Sequence, residues 1–206
     1  GIESTKIDPV WIEKASIMDK IIVVSNHAKH GFDNTVWTTR DQQGNEIAIR
    51  NNVPVETVNY AARKWEPSDL DLNLDYDFNF LSVAQWGPRK NMINTIKWFV
   101  EECHDRKVGL VLKTNIRKNC IMDRLETEKS IGKVLSQYED RECKVYLLHG
   151  DMAQGELAAL YEHPKVKCLI SLSHGEGFGL PIFEAACHGL PVMAPDWGGQ
   201  CDFLYG

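Results

Sequence analysis

From Phe78 onward, two rhythms of apolar residues alternate along the chain. Short continuous apolar runs, "FNFLSVAQ", "VGLVLKT", "KVYLLHG", "KCLISLS" and "LPVMAP", predict five strands. Between them, "NMINTIKWFVEEC", "IMDRLETEKSIGKVLSQY", "QGELAALYEH" and "LPIFEAACH" carry apolar positions at helical spacing, with Ile93, Ile96 and Val100 on one face of the first. Apolar runs without alternation suit strands buried on both faces. A βαβα series therefore predicts an α/β fold, a Rossmann-like parallel sheet with helices on both faces.

The first third of the chain reads differently. Asp8-Pro9 has the form of an N-cap with proline at the first helical position, ahead of Ile12, Ala15 and Ile17. "KIIVVS" (20–25) is a continuous apolar run and predicts a strand buried on both faces. "NTVWTTRDQQGNEIAIR" predicts two short strands around a polar turn at Gly44, and "VETVNYAA" a further strand. "KWEPSDLDLNLDYDFN", with Pro67 and four aspartates, reads as a solvated linker. These patterns predict three parts: 1–66 as a partial N-terminal segment, 67–77 as the linker, and 78–206 as a ligand-binding sheet domain. Both ends look unfinished, so the chain reads as a piece of a larger protein. Gly1 reads as a remnant of tag removal.

Composition narrows the classes. The net charge of −6 disfavours nucleic acid as a partner, because phosphate backbones need basic patches, yet leaves room for a small anionic ligand. No apolar run approaches the roughly 20 residues that span a bilayer. The six cysteines are widely spaced without a C-x-x-C pair, which predicts buried thiols in a reducing, cytoplasmic setting. His27 and His30 lack the further ligands of a zinc site, so no metal is expected.

The richest chemistry lies in "SLSHGEGFGLPIFEAACHGLPVMAP" (171–195). The preceding strand delivers this stretch to the carboxyl edge of the sheet, where open α/β folds bind ligands. Gly175, Gly177 and Gly179 permit close backbone approach and positive φ, Pro181 suits a first helical turn, and Gly189 stops the helix. The amides of Gly177, Phe178, Gly179 and Leu180 would then form an anion site at a positive helix end. Glu176 and Glu184 would repel phosphate, but they can accept hydrogen bonds from hydroxyls on either side of a diphosphate. The spacing equally allows Glu176 to satisfy helix-start amides and Glu184 to be a plain surface residue.

The context resolves this by resemblance. "EGFGLPIFE" resembles the E-x7-E motif of retaining GT-B glycosyltransferases, above all the GT4-like "group 1" family. "GELAALYEH", "HGLPVMAPDWGG", "FLSVAQWGPRKNMINTIKWF" and "MDKIIVVSNHAKHGF" are similar to segments of that family, so the resemblance covers most of the chain and is loosest over 34–77. The resemblance implies that Glu184 holds the ribose hydroxyls of a nucleoside diphosphate sugar and that Glu176 contacts the transferred sugar as the catalytic residue. It implies that Gly177–Leu180, Arg89 and Lys90 bind the diphosphate. Gln85 stands where the family has an arginine, a departure that Arg89 would offset. Lys113 would face the donor from a strand end, and His149-Gly150 would cradle the base through main chain, while His174 and His188 flank the site. The implied reaction transfers a sugar with retention to a carbohydrate, lipid or protein hydroxyl, needs no cofactor or metal, and leaves room for peripheral membrane association of the full-length enzyme.

Rival classes have weaker support. A dinucleotide-binding dehydrogenase would use Asp196, but the turn runs G-x-G-x-G with Leu180 at the third glycine. A pyridoxal-dependent phosphorylase needs a lysine that is missing from 175 onward. A sugar-nucleotide epimerase or a non-catalytic nucleotide-sugar-binding module would keep the donor site.

Overall fold

The computed structural model describes residues 2–205, so the reading of Gly1 lies outside the described residues. The chain divides into two compact units. The smaller holds 1–61, 175–179 and 196–206, and the larger holds 62–174 and 180–195.

In the smaller unit, helix α1 (Pro9–Ala15) starts as Asp8 dictates, its carboxylate accepting from the Val10 amide at 2.9 Å. Strand β1 (Ile21–Val23) leads to α2 (Asn26–Asn34), which the Ser25 hydroxyl caps by accepting from the Ala28 amide. Strands β2 (Val36–Arg40) and β3 (Glu46–Arg50) form the expected antiparallel hairpin, with Gly44 at φ 84° in its turn. Strand β4 (Val55–Thr57) pairs with β1 in parallel. The core gathers Ile7, Ile12, Ala15, Val23, Ala28 and Phe32. "KIIVVS" is not buried on both faces: Ile22 is 66% exposed. Among the described residues β1 pairs with β4 alone, and a two-stranded sheet has too little surface to cover both sides. "VETVNYAA" likewise contributes only three residues to a strand.

In the larger unit all five expected strands form one parallel sheet: β5 (Asn79–Val83), β6 (Gly109–Lys113), β7 (Lys144–Leu148), β8 (Val166–Ile170) and β9 (Val192–Met193), in the order β7-β6-β5-β8-β9. The four expected helices are α3 (Met92–Cys103), α4 (Ile121–Leu135), α5 (Gln154–Tyr161) and α6 (Leu180–Cys187). Leu110 and Leu112 point to the face covered by Met92, Ile96, Phe99 and Val100 of α3 and by Ile131 and Val134 of α4. Leu81, Val111 and Leu169 stand in register on the opposite face, and all are at most 1% exposed. Both faces are thus buried, as the unalternating runs require. Ile93 does not share the buried face of Ile96 and Val100. It is 55% exposed, and Met92 is buried instead. This unit has the Rossmann-like α/β fold expected from the sequence.

A short helix, α7 (Cys201–Leu204), closes the chain and belongs to the smaller unit. The six cysteines are all free, but only Cys143 and Cys168 are buried and Cys120 is exposed. The expectation of uniformly buried thiols therefore fails. Cys120 is the residue just before α4, where loop backbone meets solvent.

Candidate donor-binding site

The strand order reverses between β5 and β8, so the carboxyl ends of these two strands flank the switch point where open α/β sheets bind ligands. The loop leaving β5 is tied to the loop leaving β8. The Arg89 carbonyl accepts from the His174 amide at 2.8 Å and from the Ser173 hydroxyl at 3.3 Å. Arg89 and Lys90 lie on a 3-10 turn (Pro88–Lys90) that ends at Asn91, in the left-handed region at φ 56°. Asparagine tolerates that conformation better than most residues, and its side chain here donates to the Leu172 carbonyl at 3.1 Å. Asn91 therefore sets the path of the cationic turn, a role the sequence reading missed. Its signal was a short polar residue directly ahead of an apolar helix.

Further along the same edge, Val83, Gln85, Lys113, Asn115, Asp151 and Pro181 line a cavity of about 420 Å³. Lys113 ends β6, and its ammonium donates to the Gly150 carbonyl. Burial lowers its pKa, partly opposed by the charge of Asp151. Gln85 donates to the Ile116 carbonyl at 3.1 Å, which fastens the loop after β5 to the loop after β6.

That second loop has an unforeseen anchor. Asp123, 7% exposed, accepts from the amides of Ile116, Arg117 and Lys118 at 2.6 to 2.9 Å and lies 2.8 Å from His149 Nε2. The His149 contact, aided by the three amides against the cost of burial, holds its carboxyl far below the usual range. The His149 ring is turned inward, so only the backbone of His149 and Gly150 is left to meet a ligand. Gly150 is at φ 103°, and a Cβ there would lie 2.7 Å from the Asn119 side chain.

Glu184 lies on α6, and its Oε2 accepts from the Tyr161 hydroxyl at 3.1 Å. His188, one turn later, is buried, with Nδ1 3.0 Å from Glu162 Oε1, and Lys64 approaches the same oxygen at 2.9 Å. The His188 contact and then that of Lys64 lower the pKa of Glu162. His188 is thus a packing residue of the α5–α6 contact, and His174 is exposed.

Glu176, Gly177, Phe178 and Gly179 belong to the smaller unit, and Leu180, exposed at 42%, begins α6 in the larger. Glu176 is 7% exposed, and its carbonyl accepts from the Gly199 amide at 2.7 Å. The Gly177 carbonyl accepts from the Ser25 hydroxyl at 2.6 Å. Phe178 is buried between Tyr60 and Phe203, with ring centroids 5.1 and 5.0 Å away. Its side chain is an anchor, and only its backbone can serve a ligand. Of the three glycines expected to reach positive φ, only Gly179 does, at 89°. Gly175 is needed because a Cβ would meet the Glu3 carbonyl at 2.2 Å. Close chain packing therefore explains part of what the sequence suggested was room for a ligand.

The described residues contain no cluster of three or more potential metal ligands, and no helix among them is long and apolar enough to cross a membrane.

The larger unit thus carries, at the carboxyl edge of a parallel α/β sheet, a switch point, a cationic turn and a cavity beside an acid-bearing helix. Residues 72–204 match the family of glycosyl transferases group 1, and the chain belongs to that family. It is similar to the serotype-specific mannosyltransferase WbdA of Escherichia coli, at 31% identity over 121 residues, covering 57% of this chain and 13% of that protein. It is also similar to the probable sucrose-phosphate synthase 2 of Arabidopsis thaliana, at 27% identity over 130 residues, covering 59% of this chain and 12% of that one. The matched stretch thus spans about an eighth of the length of these relatives. In fold it is similar to a solved structure titled trehalose-6-phosphate from E. coli bound with UDP-2-fluoro glucose. That match has a TM-score of 0.60 at 14% identity and covers 95% of this chain and 50% of the other.

Proposed function

We propose that this chain carries the donor site of a retaining GT4-like glycosyltransferase, which binds a nucleoside diphosphate sugar and passes the sugar to an acceptor hydroxyl. The observation that carries this reading is the cavity at the carboxyl ends of β5 and β6, bounded by Gln85, Lys113, Asp151 and the first turn of α6. A solved structure of similar fold is bound with UDP-2-fluoro glucose, which supports a nucleotide sugar as the ligand class.

In this reading Glu184 accepts hydrogen bonds from the ribose, and Glu176 contacts the transferred sugar. The amides of Gly177, Phe178, Gly179 and Leu180 bind the diphosphate, as helix-start amides bind anions. Arg89 and Lys90 stabilise the charge that grows on the diphosphate as the glycosidic bond breaks, so their removal slows transfer more than it weakens binding. Lys113 braces the Gly150 carbonyl beside the donor. The reading includes no metal and places the reaction in the cytoplasm.

The test is a thermal-shift panel of UDP, GDP and their sugars on the intact chain, repeated with Glu184→Ala. The expected result is a melting-temperature rise with one base and about a tenfold loss of affinity in the variant, the scale of a hydrogen bond to a charged group. No shift with any nucleotide would overturn the donor-site reading.

A further inference from the structure

The contact between α5 and α6 contains a polar pair that the proposed chemistry does not itself require. Tyr161 is 3% exposed, the last residue of α5, and its hydroxyl donates to Glu184 Oε2 at 3.1 Å. Among the described residues this is the hydrogen bond that the Glu184 carboxylate makes to another side chain. The neighbouring residue, Glu162, makes a second cross-link to His188, which follows α6 directly and whose amide donates to the Glu184 carbonyl one turn back. The Tyr161 ring packs on the His188 ring at 5.7 Å.

The recess between the helices, lined by Trp65, Leu157, Ala158 and Tyr161, has a volume of only about 20 Å³. That leaves space for about one water, so the phenol is the donor that the protein itself sets on this oxygen. Burial first, then the charge of Glu184, pushes the phenol far above its ordinary pKa, so it remains a donor at every physiological pH. A glutamate has three side-chain torsions, and an untethered carboxylate samples several rotamers. One tethered oxygen leaves the other oriented.

We propose that Tyr161 is a positioning residue for ligand recognition: its hydroxyl holds Oε2 of Glu184 so that Oε1 is presented to the vicinal hydroxyls of the ligand's ribose. The proposal rests on the donor-site reading above and deepens it, because ribose selectivity then depends on a residue that never touches the ligand.

The test compares UDP with 2′-deoxy-UDP, and GDP with 2′-deoxy-GDP, by calorimetry on the full chain as wild type, Tyr161→Phe and Glu162→Gln. Phenylalanine keeps the ring and removes only the hydroxyl. Tyr161→Met serves in its place if that variant does not fold, since methionine fills irregular space without a hydroxyl. The expected result is a wild-type preference for the ribonucleotide of about tenfold, the scale of a hydrogen bond to a charged acceptor. That preference should fall to about twofold or less in Tyr161→Phe while affinity for the deoxynucleotide stays unchanged. Glu162→Gln should keep the preference, which separates positioning of Glu184 from general loosening of the helix pair. A wild-type preference that survives in Tyr161→Phe overturns the proposal and leaves the donor site standing. A preference lost equally in Glu162→Gln overturns it as well. A wild type that binds ribo- and deoxynucleotide alike removes the ribose role of Glu184 and overturns this proposal, and one that binds neither overturns the donor-site reading as well.

Discussion

Two apolar runs of nearly equal hydrophobicity meet opposite fates in this molecule. Leu110, Val111 and Leu112 of the larger unit are entirely buried, whereas Ile22, at the centre of "KIIVVS" in the smaller unit, is 66% exposed. The difference lies in partners. Strand β6 has a paired strand on each side and helices across it, and β1 pairs with β4 alone among the described residues. An apolar run thus reports a capacity for burial, and neighbours supplied from elsewhere decide whether both faces use it.

This contrast can be broken by substitution. Leu110→Ala should have the largest effect, a loss of about 2–5 kcal/mol in urea unfolding, because the site is close-packed on all sides. A loss below about 1 kcal/mol would show that the larger unit is no better packed than the smaller. Asp123→Asn sharpens the comparison from the polar side, since this buried carboxylate pins the loop after β6. Its folded pKa is depressed, so its contribution is fully present above the ordinary carboxylate range and is lost as pH falls through the folded value. The variant should melt below wild type at pH 7, and the gap should narrow as pH drops below about 4, where unpaired carboxylates begin to protonate. A gap independent of pH would sink the assignment. Ile22→Ala should have the smallest effect, within about 0.5 kcal/mol, as expected for a surface position.

The larger unit was legible because its signals are local. Each strand from β5 to β9 is a short apolar run, and each helix between them keeps its own period. Arg89, Lys90 and Glu184 were singled out by the resemblance of their segments to a family, because spacing alone left Glu184 open as a plain surface residue. What escaped were partners brought from afar. Nothing near Asp123 foretells that it would bond three amides of the preceding loop and a histidine 26 positions away. The burial of Phe178 depends on Tyr60 and Phe203, far off on either side in the chain. The glycines misled for the same reason. Chain packing and ligand approach both demand a missing side chain, and only the Glu3 carbonyl beside Gly175 tells them apart.

The Ser25–Gly177 hydrogen bond joins residues 152 positions apart, and the smaller unit draws on three separate stretches of chain, the last of them 196–206. During synthesis, therefore, the larger unit has nearly all its chain available before the smaller can be completed. The core around α1 and α2 lies within the first stretch and can gather early, whereas the Ser25–Gly177 bond needs a long loop to close, which comes late and slowly. The glycine loop that precedes α6 is accordingly fastened to Ser25 only after that long closure.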